Sequence, residues 1–598
     1  MSSLTDEVVI LCWNTPATLD RNAQEIAALL GAEATFVSLT AEGLSRDGWT
    51  KWVPKCECLI VDAETLAKVS EAMHDDCTPL LSLTELADHV FIYGFQPTVR
   101  HNTLLRTLSR GGLIEVRPIE DRHAKFHVAG GHREWCFQFS GLSFGKPDPA
   151  IENSFVESSD AGRQTVLIWA GEAPFLVLAK HGRSQVFFVA GRELINLNEQ
   201  VSREVSCLDW FSRFVPLAMF LRGALGDQIW HNDHPQACFI IDDPLLKKRY
   251  GFLEYKRLVE MMRHHSFSTC IAFIPWNYRR SSNRVGEFFS SKGVMPSLCV
   301  HGCDHTAAEF ATTEVESLRS KAQLALQRMQ EHQLISGVAF DDVMVFPQGL
   351  FSAEAVAALK KVGYLAAVNT DLYPSTEPGA LTIREMLDVA VTKFEDFPLF
   401  GRRYPNELAE FAFDLFMAKP ALIVEHHGYF RNGYRALEDL VKGLNALDER
   451  LEWTNLATIC SHACLTRMAD DDDVRVRFYT SRFCLKNYGE RRQNYRLLQR
   501  RTADGPLPVL TVDGSQWGYE RESEDLKIRL SLNPGQSATI AISPADSAPI
   551  GQRSSKTSAN KVTVTLRRLL CEFRDNYVDT NRILSGIVST VQDFQSRY

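Results

Sequence analysis

Cys238-Phe239-Ile240-Ile241-Asp242-Asp243-Pro244 decides how the chain is read, together with Ser297-Leu298-Cys299-Val300 and the His301-Gly302-Cys303-Asp304-His305 that follows it. Each stretch begins as a short, uninterrupted apolar run, the pattern of a strand buried on both faces of a parallel sheet. Each run stops at carboxylates or imidazoles. In α/β barrels the C-terminal ends of the strands are where the chemistry is placed. Two carboxylates and two histidines delivered there make one metal's set of ligands with a carboxylate to spare. The four-residue spacing of His301 and His305 predicts a turn of helix with both rings on one side. A divalent ion held by two His and one Asp keeps open positions for water and substrate, and it lowers the pKa of that water. The other carboxylate of the Asp242-Asp243 pair can then take the proton. The pattern predicts a metal-dependent hydrolase.

Working outward, a strand–helix rhythm fills residues 234–465. Strands are expected at Cys238–Ile241, Thr269–Ile274, Leu298–Val300, Val343–Phe346, Leu365–Val368, Leu387–Val391, Ala421–Val424 and Leu451–Trp453. Helical spacing runs from Phe252 to His265 and from Glu316 to Leu334, and further helices start at the N-caps Ser352 and Asn406, the last reaching Met417 before Pro420. That length and rhythm predict a central distorted (β/α)7-8 barrel.

Residues 1–230 read as a flavodoxin-like or amidotransferase-like α/β accessory domain. Val8 to Trp13 is a continuous apolar run, Ala23, Ile26, Ala27 and Leu30 share a helix face, and strands are expected at 59–61 and 90–93. Short strands follow at Trp135 to Phe139, Thr165 to Trp169, Pro174 to Ala179 and Gln185 to Val189, giving an open sheet extended by antiparallel strands. This part has no Gly-x-Gly-x-x-Gly, P-loop or nucleophile-elbow pattern. Beyond Asp470-Asp471-Asp472-Asp473, alternation at Val474, Val476, Phe478 and at Leu526, Ile528, Leu530, Leu532 predicts a β-sandwich over 473–545. A Ser/Ala/Gly/Pro-rich linker at about 543 to 559 leads to a helical tail, 560–598, with Leu584, Ile587, Val591 and Phe594 on one stripe. The fold class expected is therefore multidomain α/β.

Bulk composition bounds the function. A chain of 598 residues is too long for one core. Its 45% hydrophobic and 23% charged residues are ordinary for a globular protein. A net charge of −9 argues against a nucleic-acid partner held through its phosphates; the local arginines 491, 492, 496, 500 and 501 read as a solvated face or a contact between domains. No run of about 18 apolar residues is present, so no transmembrane helix is expected. The N-terminal Met1 to Glu7 lacks the basic segment and apolar core of a signal peptide. Fourteen scattered cysteines without C-x-x-C spacing read as buried thiols in a reducing compartment. The protein is expected in the cytoplasm.

The central stretch resembles the polysaccharide deacetylase family, metal-dependent carbohydrate esterases on a distorted (β/α) barrel. Ile240-Ile241-Asp242-Asp243 matches the acidic half of the family's Thr-Phe-Asp-Asp motif, and His301-Gly302-Cys303-Asp304-His305 matches both ligands of its His-Ser/Thr-x-x-His motif. Val345-Phe346-Pro347-Gln348-Gly349 keeps the Pro and Gly of the third motif and lacks its Arg, for which Arg384 is a candidate substitute. Asn369-Thr370-Asp371 echoes the fourth motif, and Ile423-Val424-Glu425-His426-His427-Gly428 stands where the family's Leu-x-His supplies the acid. The resemblance covers residues 234–465. It implies Asp242 as catalytic base, Asp243, His301 and His305 as metal ligands, and His426 as general acid with His427 as rival.

Trp276, Pro347, Gln348, Asp371 and His427 are the candidate substrate-binding residues. Trp276 and Tyr278 can stack on a sugar ring or pack the rim, His231 and His234 read as linker residues, His264 and His265 as the end of a helix, and Cys303 as a small spacer. The function expected is a deacetylase of an N-acylated sugar or related amide, with a divalent metal, Zn²⁺ first and Co²⁺, Ni²⁺ or Fe²⁺ after it. The alternatives are an inactive carbohydrate-binding barrel and a glycosidase with two carboxylates and no metal. The expected partner is a carbohydrate or acylated amino-sugar substrate, with no nucleic acid, no membrane, and a possible homodimer through the tail.

Overall fold

The computed structural model describes residues 8–579 except 43, 45–52, 75, 122, 160–163, 202–204, 291–295, 378, 470–472, 502–506, 523–524 and 544–560. The acidic run at 470–472, nearly all of the 543–559 linker, and the stripe Leu584, Ile587, Val591 and Phe594 lie outside these residues. No described helix is long and apolar enough to cross a membrane.

The central element is a curled parallel sheet. Its strands are β1 (Gln236–Asp242), β2 (Thr269–Phe273), β3 (Ser297–His301), β4 (Asp341–Val345), β5 (Ala366–Asn369), β6 (Leu399–Gly401), β7 (Ala421–His426) and β8 (Glu452–Trp453). They run in the order β6-β5-β4-β3-β2-β1-β7, with β8 beside the start of β1. The two ends of the sheet meet just past β6, where Arg403 N–H donates to Leu422 O at 2.9 Å and Val424 N–H donates to Arg403 O at 2.9 Å.

Side-chain alternation decides which strand residues can reach the concave side. Phe239, Ile241, Ile271, Phe273, Leu298, Val300, Leu399 and Ile423 pack with the surrounding helices. Cys238, Ile240, Cys270, Ala272, Cys299, Val343, Val345, Val368, Phe400 and Leu422 form a separate apolar cluster. Helix Leu456–His462 belongs to this second cluster through Leu456, Ile459 and Cys460. Two residues past Ile240, Cys299, Phe400 and Val424 come Asp242, His301, Arg402 and His426. The same alternation that packs the core thus aims all four at the C-terminal rim.

Several expectations need correction here. Leu387–Val391 is not a strand: Leu387 closes the short helix Ile383–Leu387, and Val391 makes an isolated bridge to Leu399. The strand in that part of the sheet is β6, three residues long. Trp135 to Phe139 forms two short helices, Arg133–Cys136 and Phe137–Phe139, whose rings pack toward the central region, with Phe137 and Phe139 5.8 and 5.4 Å from Phe416. Ser352 does cap its helix through Ala355 N–H, whereas Asn406 does not; helix Leu408–Phe416 has Glu407 at its N-cap.

The N-terminal sheet has nine strands. Five parallel ones (Ala34–Leu39, Val8–Trp13, Cys56–Asp62, Ala87–Tyr93 and Ser184–Val189, in spatial order) are extended on one side by antiparallel strands beginning with Ala173–His181. One apolar cluster runs from this sheet through helix Phe211–Leu225 to the helix side of the central sheet. At the other end, strands from Cys464 to Ser543 form a five-stranded and a four-stranded sheet around their own core, which includes Val476, Phe483, Leu497 and Ile540. One pair in it, Val474–Phe478 with Gln493–Arg500, is parallel, where alternation alone predicts antiparallel pairing.

Candidate active site at the C-terminal rim

Three atoms of kinds that can hold a metal ion converge where β1 and β3 end. His305 Nε2 lies 3.0 Å and His301 Nε2 3.4 Å from Asp243 Oδ1, and the two rings are 4.8 Å apart. The helical turn expected between the histidines does not form. His301 is the last residue of β3, and His305 sits in an irregular loop with φ 55°. The loop achieves by a different backbone path what helical spacing would have achieved.

The chemistry of this donor set fits a divalent cation. Asp243 Oδ1 is buried and has no hydrogen bond, although both imidazoles point to it. His301 Nδ1 lies 3.0 Å from Val345 O, which assigns the proton to Nδ1 and leaves the Nε2 lone pair facing Asp243. Donor atoms about 2.1 Å from one ion at tetrahedral or octahedral angles stand roughly 3.0–3.4 Å apart, the separations found here. Asp243 also holds φ at 79°, a left-handed conformation that costs a carboxylate residue about 1–3 kcal/mol and persists where surrounding structure imposes it. Burial raises its carboxyl, but His301 and His305 outweigh that and hold it well below the usual carboxylate range. Its side chain keeps 24% exposure, so the cluster is open to solvent on one side.

Asp242 is held differently. Arg402 grips it with two parallel bonds, Nη1 to Oδ1 at 2.7 Å and Nη2 to Oδ2 at 2.8 Å, and each partner is 4% exposed. Burial raises the Asp242 carboxyl, the Arg402 charge and then His301 lower it, and the outcome lies below its ordinary value. An arginine thus reaches Asp242 from just past β6, and not from the Val345–Gly349 stretch. Arg384, the expected substitute, is instead turned to Glu25 in the N-terminal region. Arg402 was missed because β6 is short and because the Leu387–Val391 run took its place in the strand count; the Leu399-Phe400-Gly401-Arg402 run was the available signal.

His426 ends β7 directly across from Asp242 in the β1–β7 register, on the concave alternation, and is one of the groups that lower the Asp242 carboxyl. His427 turns away: it is 9% exposed, packs 5.6 Å from the Tyr250 ring, and stands 3.7 Å from Asp575 of the C-terminal segment. Trp276 is half-buried beside the His301–His305 loop, its backbone N–H donating to Cys303 O at 3.0 Å. Pro347 is buried under that loop, so close that a Cβ on Gly302 would stand 2.4 Å from its Cγ. Gln348 is exposed at φ 60° and accepts from Ala308 N–H at 3.1 Å. Asp371 is exposed, with its carboxylate near Gly349.

Two further residues complete the site without any sequence motif. Glu309, 2% exposed, accepts backbone N–H bonds from Cys303, Asp304 and His305 at 3.1, 2.8 and 3.0 Å, fixing the loop between the two histidines. Tyr404 is 39% exposed and stands in the field of Arg402, Asp242, Glu425 and Asp371. Cys303, buried beneath the loop, has its thiol pushed well above the usual range by burial and then Asp304, as suits a spacer and not a nucleophile.

No protein-family model matches the sequence, and comparison with curated proteins gives no match. Among solved structures the chain is similar to carbohydrate deacetylases. Agd3, a carbohydrate deacetylase, is 8% identical, with 90% of this chain and 99% of that one covered at a TM-score of 0.44. A family 4 carbohydrate esterase from Streptomyces lividans, in complex with acetate, is 12% identical over 38% of this chain and 93% of its own, at a TM-score of 0.25. A CE4-family pseudoenzyme from Bacillus anthracis is 11% identical over 38% of this chain and 66% of its own, at 0.24. At these identities and scores no residue's role is carried over from them.

Proposed function

We propose that the chain is a metal-dependent hydrolase that removes the acyl group from an N-acylated sugar or related amide. The observation that carries this reading is the meeting, on one strand-end rim, of three converging ligand atoms with a buried, arginine-clamped carboxylate. Asp243, His301 and His305 would hold the ion; their two imidazoles and one carboxylate suit Zn²⁺, with Co²⁺, Ni²⁺ or Fe²⁺ as substitutes. A divalent ion there would acidify water and polarise the acyl carbonyl. Asp242 accepts the proton given up by the attacking water, at an oxygen that Arg402 keeps ionised and fixed. His426 returns a proton to the leaving nitrogen, which a free amine of high basicity requires. Half-buried Trp276 and exposed Tyr404 offer aromatic faces beside the rim on which a sugar ring can lie. The resemblance of the Asp242-Asp243 and His301–His305 motifs to those of polysaccharide deacetylases supports the amide class over the glycosidic one.

The test is acetate release from a panel of N-acetylated mono- and oligosaccharides, followed by mass spectrometry. The expected result is release by the metal-loaded protein, its loss on chelation, recovery with Zn²⁺ or Co²⁺, and its loss in Asp242→Asn. Cleavage of glycosidic bonds insensitive to chelation would overturn the proposal, as would no release from any member of the panel by metal-loaded protein.

A further inference from the structure

The C-terminal helix Lys561–Phe573, continued by a wider turn over Arg574–Val578, is docked inside out. The edge against the central region is mostly polar, with Val564 its buried apolar member. Glu572 takes Lys247 and, at 2.5 Å, Arg280. Asp575, 4% exposed, accepts Tyr250 O–H at 2.6 Å and Arg574 Nε–H at 2.9 Å, and Asn576 Oδ1 accepts Gly251 N–H at 2.9 Å. Arg568, one heptad before Asp575, is 6% exposed. An amphipathic helix on a protein surface ordinarily buries its apolar stripe and shows its polar one; here Val564 is buried at 6% exposure, but the five largest apolar side chains face outward.

Leu566, Leu569, Leu570, Phe573 and Tyr577 are 57%, 47%, 68%, 55% and 63% exposed. The other large exposed apolar side chains among the described residues are scattered over the rest of the chain, as is normal, whereas these five fall within three turns. Leu566, Leu570, Phe573 and Tyr577 follow a 4-3-4 spacing, the repeat of 3.5 residues that keeps a stripe on one partner helix. In that heptad frame Arg568 and Asp575 occupy the position farthest from the seam, which is why they can be buried while the seam stays open. The sequence takes up the same phase seven residues after Tyr577, at Leu584, Ile587, Val591 and Phe594. With Thr580 as the single polar step, the repeat spans about four heptads, the length at which such a pattern specifies a coiled coil.

We infer that this seam is the self-association surface of the protein, and that its occupant is the corresponding helix of a second copy of the chain. The described part of the seam, Leu566 to Tyr577, has the coiled-coil period, the sequence beyond it keeps the same phase, and a second copy of the chain supplies a helix of matching period. Because the same helix holds Tyr250 and His427 through Asp575, the interface and one side of the candidate site share a single element. The inference stands apart from the chemistry proposed for the site.

Sedimentation velocity and light scattering on the full chain test it, with and without Leu570→Glu and Phe573→Glu together. Wild type is expected at twice the 67.4 kDa chain mass, and the double variant at one chain mass with unchanged circular dichroism. Leu334→Glu, at another exposed apolar position (86% exposed), is expected to stay dimeric. A wild-type monomer at the highest soluble concentration would overturn the inference, and so would a double variant that remains dimeric. A monomer that pellets with anionic phospholipid vesicles would also overturn it and assign the seam to a membrane surface.

Discussion

Replacing Arg402 with Met tests the most consequential contact in the site. The guanidinium and the Asp242 carboxylate are each 4% exposed and joined by bonds of 2.7 and 2.8 Å. Removing one member leaves a buried charge without its partner, which costs about 3–5 kcal/mol, whereas removing both leaves two neutral groups and costs much less. Arg402→Met is therefore expected to destabilise the chain by about 3–5 kcal/mol, and Arg402→Met combined with Asp242→Asn by at least about 2 kcal/mol less than the sum of the single changes. Arg402→Lys keeps the charge and loses the two-pronged geometry, so it is expected to fall between them. The assay is urea unfolding followed by tryptophan fluorescence in chelator-treated buffer, so that metal binding does not enter the balance. A single variant within about 1 kcal/mol of wild type, or strictly additive changes, would refute the claim that Arg402 exists to hold Asp242 charged.

Other expectations follow from named contacts. Gly302 has φ 62°, and a Cβ there would meet Pro347 Cγ at 2.4 Å and Glu309 Oε2 at 2.7 Å; Gly302→Ala is expected to cost about 1–2 kcal/mol for the backbone alone and to weaken Zn²⁺ affinity in titration calorimetry, and unchanged affinity would separate this loop from the ligand set. Asp341, buried with its carboxyl pushed up to about 7 by burial, holds its proton more tightly folded than unfolded. Its contribution is complete below about pH 4 and is lost as pH rises to about 7, so up to roughly 4 kcal/mol of stability should disappear over that interval; Asp341→Asn should flatten the dependence of the urea midpoint, and an unchanged slope would contradict the assignment. His426→Ala is expected to lower kcat by about 100-fold or more with little change in KM, as loss of a proton donor does, while His427→Ala should act mainly on stability and the docking of the C-terminal helix. Equal kcat losses in the two would contradict the outward placement of His427.

How much was legible in the sequence depended on how local each signal was. β1 and β3 are buried on both faces, so Cys238–Ile241 and Leu298–Val300 read as unbroken apolar runs, and the residues that end them mark the rim directly. The alternation that carries Asp242 and His426 inward follows from the same runs, which is why the choice between His426 and His427 reduced to where β7 stops. Arg402 was invisible by comparison. It stands 160 residues from its partner, after a strand of three residues, and no spacing rule links a buried arginine to an aspartate across the sheet. Glu309 was hidden for a similar reason, since its work is done by accepting backbone N–H groups from a loop whose path the His-x-x-x-His spacing misassigned as helix. Leu387–Val391 is apolar enough to read as a strand, and tertiary packing put it in a helix end and a bridge instead.

The central claim is tested most directly by metal content. Purified protein is dialysed against Zn²⁺, desalted and measured by elemental mass spectrometry, as wild type and as Asp243→Ala, His301→Ala and His305→Ala, with Asp242→Asn as a neighbour outside the ligand set. The account predicts about one ion per chain in wild type and Asp242→Asn, and its loss in each of the three ligand variants. A wild-type chain that retains no ion, or ligand variants that retain it in full, would contradict it.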